Sequence, residues 1–194
     1  MALNYFYDYD NNSYYLSSNS CAAGAVVIPS TYNDEFYGYG IGPVTKIDST
    51  AFAFCTSLTS LVIPSSVTSI GIYAFDGCTS LASITIPSSV TSIEYGAFSN
   101  CSSLTSITIP RGIASFGDWM FYGCTSLIRI NVLGNAPTIG SSVFLSTNAN
   151  LKIYRKKNFV TGWGSGLGNK PVVILSDNVV KSGGTGKLTT KKRN

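Results

Sequence analysis

The chain is 194 residues long, carries 13 basic and 9 acidic side chains, and contains no histidine. Without imidazole, a Ser-His-Asp triad, a histidine-liganded zinc site and a histidine proton shuttle are excluded. Only 11% of residues are charged whereas 46 are serine or threonine, so the surface is rich in hydroxyls, and the length suits one domain or a short repeat array with an ample core.

The N-terminal residues Met1 to Asp10 show no basic n-region, apolar h-region or small-residue cleavage site, and so do not read as a secretory leader. No apolar run approaches the roughly 18 residues of a membrane span. Leu3 to Tyr9 and Tyr14 to Ser17 flank the turn-prone Asp10-Asn11-Asn12, which predicts a hairpin. Val26-Val27-Ile28-Pro29 reads as the strand and proline of a degenerate opening unit, followed by an inserted loop within Ser30 to Gly42. Eight of the 12 tyrosines precede residue 40. A cap whose aromatics cover the first exposed turn of core accounts for them, and residues 1–43 are assigned to it.

A repeat of 23 residues then dominates. Val67 to Ser89 and Val90 to Gly112 match at 14 of 23 positions without a gap, and the pattern extends back through Val44 to Ser66 and forward through Ile113 to Gly134. The recurring columns are apolar: Val44, Val67, Val90 and Ile113; Ile47, Ile70, Ile93 and Phe116; Phe52, Phe75, Phe98 and Phe121; Leu58, Leu81, Leu104 and Leu127. One turn cannot bury such a face alone, whereas stacked turns convert each column into a continuous inward ladder. The period-two ending Leu-x-x-Ile-x-Ile predicts one short parallel strand per turn, closed by Pro64, Pro87 and Pro110, since proline removes a ladder donor.

This unit, Leu-Thr-Ser-Ile-x-Ile-Pro-x-x-Val-Thr-x-Ile-x-x-x-Ala-Phe-x-x-Cys, resembles the BspA-like type of the leucine-rich repeat superfamily over residues 44–134. The resemblance implies a mainly β leucine-rich-repeat solenoid with little helix, capped at both ends. It also implies a surface-exposed adhesion and recognition scaffold of the kind found in bacteria, some protists and viruses. Combined with the missing leader, it leads to an expectation of a phage virion-surface protein, such as a tail fibre or capsid decoration. The alternative is a cell-surface or secreted adhesin binding a host protein or glycan.

Past the four full units, Ile139, Phe144 and Ile153 keep the register of a degenerate fifth, in which Thr147 stands where cysteine would fall. Phe159, Trp163, Leu167 and Val172 to Leu175 are expected to cover the last turn, so that residues 135–176 hold the fifth repeat and a C-terminal cap. Residues 1–151 carry three bases against eight acids, while 152–194 carry ten bases against Asp177 alone. The last piece, 177–194, reads as a basic flexible tail. Its Lys181, Lys187, Lys191, Lys192 and Arg193 are either solvated or dock on an acidic partner; nucleic acid ranks third, because the preceding solenoid is acidic and offers no basic stripe. Ser182 to Thr190 superficially resembles a phosphate loop but has Leu188 at the hydroxyl position.

Cys55, Cys78, Cys101 and Cys124 recur at the repeat period and stack at about the 4.8 Å strand spacing. They read as reduced, packed thiols, although neighbours stand close enough for a disulfide. Cys21 lies out of register. Neither a metal nor any other cofactor is expected, because the ladder offers no tetrahedral convergence. Asp48, Asp76 and Asp118 fall at different repeat phases and form no facing acid pair, so no catalytic residue is assigned.

Alternation with the buried column exposes Ser60 and Val62, Ser83 and Thr85, Ser106 and Thr108, then Arg129 and Asn131. These eight residues are the candidate ligand-binding face. The competing reading is a merely soluble face whose threonines favour strands.

Overall fold

The structure is a computed structural model that describes residues 3–17, 23–35, 38–158, 161–163 and 167–175. The leucine-isoleucine segments form β6 (Leu58–Val62), β8 (Ser83–Thr85), β10 (Ser106–Ile109) and β12 (Arg129–Val132). Together with β3 (Gly24–Val27) before them and β14 (Lys152–Lys156) and β15 (Val172–Leu175) after them, they make a seven-stranded parallel sheet in the order β3-β6-β8-β10-β12-β14-β15. Register advances by one repeat at each step, so Leu61 faces Ile84, Ile84 faces Ile107, and Ile107 faces Ile130. Each proline ends its strand and opens a turn in which its carbonyl accepts from the residue three on, Val67 N to Pro64 O at 3.1 Å and Val90 N to Pro87 O at 3.1 Å. No helix occurs among the described residues.

The turn holds a second extended stretch besides the one read from the sequence. The Thr-Ser-Ile positions form the two-residue strands β7 (Ser69–Ile70), parallel to β5 (Gly40–Ile47), and β9 (Ser92–Ile93), parallel to β7, and the pair β11 (Ser115–Phe116) and β13 (Thr138–Ile139). Their brevity hides them in sequence, because two residues show no alternation. Gly71 ends β7 where a Cβ would come within 2.6 Å of the Ser49 nitrogen, so the turn bends there only without a side chain.

A third side closes the cross-section without strands. Along residues 48–55 the chain makes successive turns whose amides point to the next layer: Thr50 N to Ile72 O at 2.8 Å, Phe52 N to Ala74 O at 2.8 Å, Phe54 N to Asp76 O at 2.6 Å. The same bonds recur a repeat later from Tyr73, Phe75 and Gly77. The geometry requires a left-handed backbone twice per turn, at Thr50, Tyr73, Gly96, Trp119 and Ser142, and at Phe54, Gly77, Asn100, Gly123 and Ser146.

Between the three sides lies one apolar core. Phe52, Phe75, Phe98, Phe121 and Phe144 stack face to face with centroids 5.4, 5.4, 5.9 and 6.2 Å apart and planes within 10° of parallel. Such pairs add roughly 0.5–1.5 kcal/mol each beyond their burial.

At the N-terminus β1 (Tyr5–Asp8) and β2 (Ser13–Leu16) form the antiparallel hairpin expected there, and β2 runs parallel to β5. The segment read as an inserted loop is a second hairpin, β4 (Thr31–Asp34) against the start of β5. Aromatic packing sets it: Tyr32 stacks on Tyr5 at 4.4 Å, and the fully buried Tyr14 donates to Gly40 O at 2.8 Å. At the other end Trp163 and Leu167 are buried as expected, Phe159 lies outside the described residues, and Val172 to Leu175 extends the sheet as its last strand rather than lying across it.

Candidate functional site

The eight residues singled out on the strands come together in two straight columns on the outward face of the seven-stranded sheet. Ser60, Ser83, Ser106 and Arg129 are successive register partners, and Val62, Thr85, Thr108 and Asn131 are the others. Val62, Ser83 and Thr85 are exposed and the remainder half-buried. Both columns continue past the residues read from the sequence. Toward the N-terminus lie Ala25 and Val27, and toward the C-terminus Lys152 and Tyr154. Adding one repeat to Arg129 and Asn131 reaches both of the latter, so the signal existed; the decay of the fifth unit concealed it.

The face is therefore graded. Val27 and Val62 are 67% and 56% exposed at one end, hydroxyls occupy the middle, and a fixed cation stands at the other. Arg129 donates from Nε to Asn131 Oδ1 at 2.8 Å, Asn131 Nδ2 donates to Thr108 Oγ1 at 3.3 Å, and the Arg129 guanidinium sits 3.9 Å above the Tyr154 ring. These contacts orient the guanidinium while using one of its five N–H donors, so the fork suited to a carboxylate stays open.

The cysteine ladder is structural. Cys78, Cys101 and Cys124 each donate from Sγ to the carbonyl of the phenylalanine one turn earlier, Phe52, Phe75 and Phe98, at 3.1, 3.1 and 3.0 Å. All four repeat cysteines are buried and unbridged. Burial pushes the Cys124 thiol up to about 12 and the Cys101 thiol well above its usual range, which keeps both protonated and unreactive. Thr147, at the cysteine position of the fifth unit, turns back to its own layer and donates to Phe144 O at 2.7 Å.

The carboxylates are engaged locally. Asp48 pairs with Lys46 at 3.0 Å, Asp76 accepts from Asn100 Nδ2 at 2.9 Å, and Asp118 accepts from Ser141 N at 2.7 Å. Among the described residues no three histidine, cysteine, aspartate or glutamate side chains stand close enough to hold a metal ion, and no helix is long and apolar enough to cross a membrane. Lys181, Lys187, Lys191, Lys192, Arg193 and Cys21 lie outside the described residues.

Residues 45–164 match the model of the BspA type leucine-rich repeat region, in six copies. The leucine-rich repeat protein of T. pallidum has a similar solved structure, with 34% identity, a TM-score of 0.68, and coverage of 78% of this chain and 68% of that one. A leucine-rich repeat protein from Bacteroides capillosus is 28% identical with a TM-score of 0.57, covering 67% of this chain and 93% of that one. A leucine-rich cell surface protein from Faecalibacterium prausnitzii is 25% identical with a TM-score of 0.55, covering 79% of this chain and 52% of that one. No curated relative matches the sequence. With the repeat model matched over more than half its length, stacked parallel strands and bacterial leucine-rich repeat neighbours, the chain belongs to the BspA-type leucine-rich repeat family.

Proposed function

We propose that the chain is a non-enzymatic recognition module of the adhesin type, acting at a cell surface or after secretion, and that it holds a protein partner on the outward face of the seven-stranded sheet. Leucine-rich repeat proteins mediate protein interactions, and the F. prausnitzii neighbour is a cell surface protein. The virus-particle reading has no observation behind it in the fold, and the bacterial neighbours support the cell-surface or secreted alternative.

The observation that carries the proposal is the held guanidinium of Arg129. An arginine fixed by Asn131 and Tyr154 loses little freedom on binding, which is the property of an interface anchor. Val62 lies three strands away, about 14 Å at the usual strand spacing. The fitting partner is an extended segment with an apolar side chain at one end and a carboxylate at the other.

The test is binding of the immobilised full chain to an array of purified secreted proteins. At least one should bind, Arg129→Ala should weaken it tenfold or more, and Arg129→Lys should not restore it, because a point charge cannot make the fork. Replacing Ser83, Thr85, Ser106 and Thr108 by lysine should abolish capture with the melting temperature unchanged. Binding untouched by these changes, or no binder at all, sinks the reading.

A further inference from the structure

The third side of the solenoid, which the sheet face leaves unused, carries large aromatic residues where the backbone favours glycine. Phe54, Tyr73 and Trp119 have φ of 58°, 53° and 62°. A bulky side chain in that region is a genuine outlier, whereas the same two columns elsewhere hold Gly77, Gly96 and Gly123 and the smaller Thr50, Asn100, Ser142 and Ser146. The glycines fit the rings. A Cβ on Gly77 would come within 2.7 Å of the Phe54 ring, and one on Gly96 within 2.3 Å of the Tyr73 ring, so each ring lies across the glycine of the next layer.

From Tyr73 onward the rings of successive layers form a file, with Tyr122 beside Trp119 in the same layer, while Phe54 stands in the other left-handed column. Tyr73 meets Tyr95 edge-on at 5.1 Å, Tyr95 lies 6.4 Å from Trp119 with planes 22° apart, and Tyr122 is 4.9 Å from Trp119. Phe54 is 67% and Trp119 37% exposed. The segments 48–56, 71–79, 94–102 and 117–125 that bear them contain Asp48, Asp76, Glu94 and Asp118 and no lysine or arginine.

We propose that this aromatic file is a binding site for a neutral polysaccharide, whose rings stack on Tyr73, Tyr95 and Trp119 while its hydroxyls donate to Asp76, Asn100 and Glu94. Ring spacing and charge select that occupant. The Tyr73, Tyr95 and Trp119 rings, one per layer, succeed one another at 5.1 and 6.4 Å, intervals comparable to one sugar ring in a linear chain of pyranoses. The side is acidic with no base in its ring-bearing segments, which disfavours sulfated or uronic acid polymers.

The probes are cellohexaose, chitohexaose and xyloglucan, with heparin as the anionic control. Binding to the full chain carrying Trp163→Phe is read by Trp119 fluorescence and by affinity electrophoresis. At least one neutral probe should bind and heparin should not. Tyr73→Gly and Trp119→Gly should each weaken binding tenfold or more; because glycine suits a positive φ, these variants should remain folded, as circular dichroism would report. Arg129→Ala, on the sheet side, should leave glycan binding unchanged, which separates this site from the protein-binding face. Failure of every neutral probe, preference for heparin, or full binding by both glycine variants overturns the proposal.

Discussion

The sheet side and the turn side of this solenoid are built by the same 23-residue unit, yet they differ in how much the backbone demands of each residue. On the sheet side an extended strand accepts almost any side chain outward, so Ser60, Ser83, Ser106 and Arg129 share one column without strain. On the turn side two positions per layer require positive φ, and glycine, asparagine, serine, threonine and aromatics alternate there. A left-handed non-glycine residue costs roughly 1–2 kcal/mol. Variation on the sheet side is therefore energetically cheap, whereas Phe54, Tyr73 and Trp119 stand against a local backbone preference that their contacts must offset.

The core shared by both sides sets the largest expected effect. Phe98 stacks between Phe75 and Phe121 and is fully buried. Phe98→Ala should destabilise the fold by about 3–5 kcal/mol, measured by urea unfolding, and should weaken both sides equally. A loss confined to one side would show that the layers are not mechanically joined through the ladder.

Alkaline pH tests the same core without mutation. Burial raises the Cys124 thiol from an ordinary 9.0 to about 12 and raises the Cys101 thiol in the same direction. The folded chain then binds more protons than the unfolded one, so this contribution to stability is complete below about 9 and is lost as pH rises toward 12. Tyr73, held up to about 12 by its hydrogen bond to Tyr95, titrates in the same window. Unfolding free energy should fall from pH 9 to 11, and Cys124→Ala should flatten the slope; a slope unchanged by that substitution would remove the thiol as its cause.

A smaller effect separates the sides directly. Gly96→Ala sets a methyl against the Tyr73 ring at positive φ, and should cost about 1–3 kcal/mol. Thr85→Ala, at an exposed strand position, should stay within about 0.5 kcal/mol. Equal costs in thermal melts would remove the asymmetry on which the comparison rests.

Much of this was legible in the sequence because the repeat enforces it. Apolar columns predict ladders, so the parallel strands, the buried phenylalanines and the outward register of Ser83 and Thr85 followed from spacing alone. What escaped were features that spacing does not encode. The two-residue strands at Ser69 and Ser92 are too short to alternate, and the hairpin of Thr31 to Asp34 depends on tyrosines that pack across distant segments. Tyr154 joined the face through a register that the decayed fifth unit disguised. The left-handed positions were visible only as unremarkable alternations of glycine with larger residues, whose meaning needs the backbone angle.

The smallest expected effect on stability is also the sharpest test of the comparison. Trp119→Gly removes a strained left-handed residue, gaining roughly 1–2 kcal/mol of backbone relief, and forfeits the contacts of a ring 37% exposed and packed on Tyr95 and Tyr122. Those contacts are partial, so the two terms nearly cancel and the unfolding midpoint in urea should move little. A strongly destabilised Trp119→Gly chain would mean that the aromatic file holds the turn side together, and its departure from glycine would then need no ligand. A chain of unchanged stability would leave the strain without a structural return, the outcome the glycan-binding proposal requires.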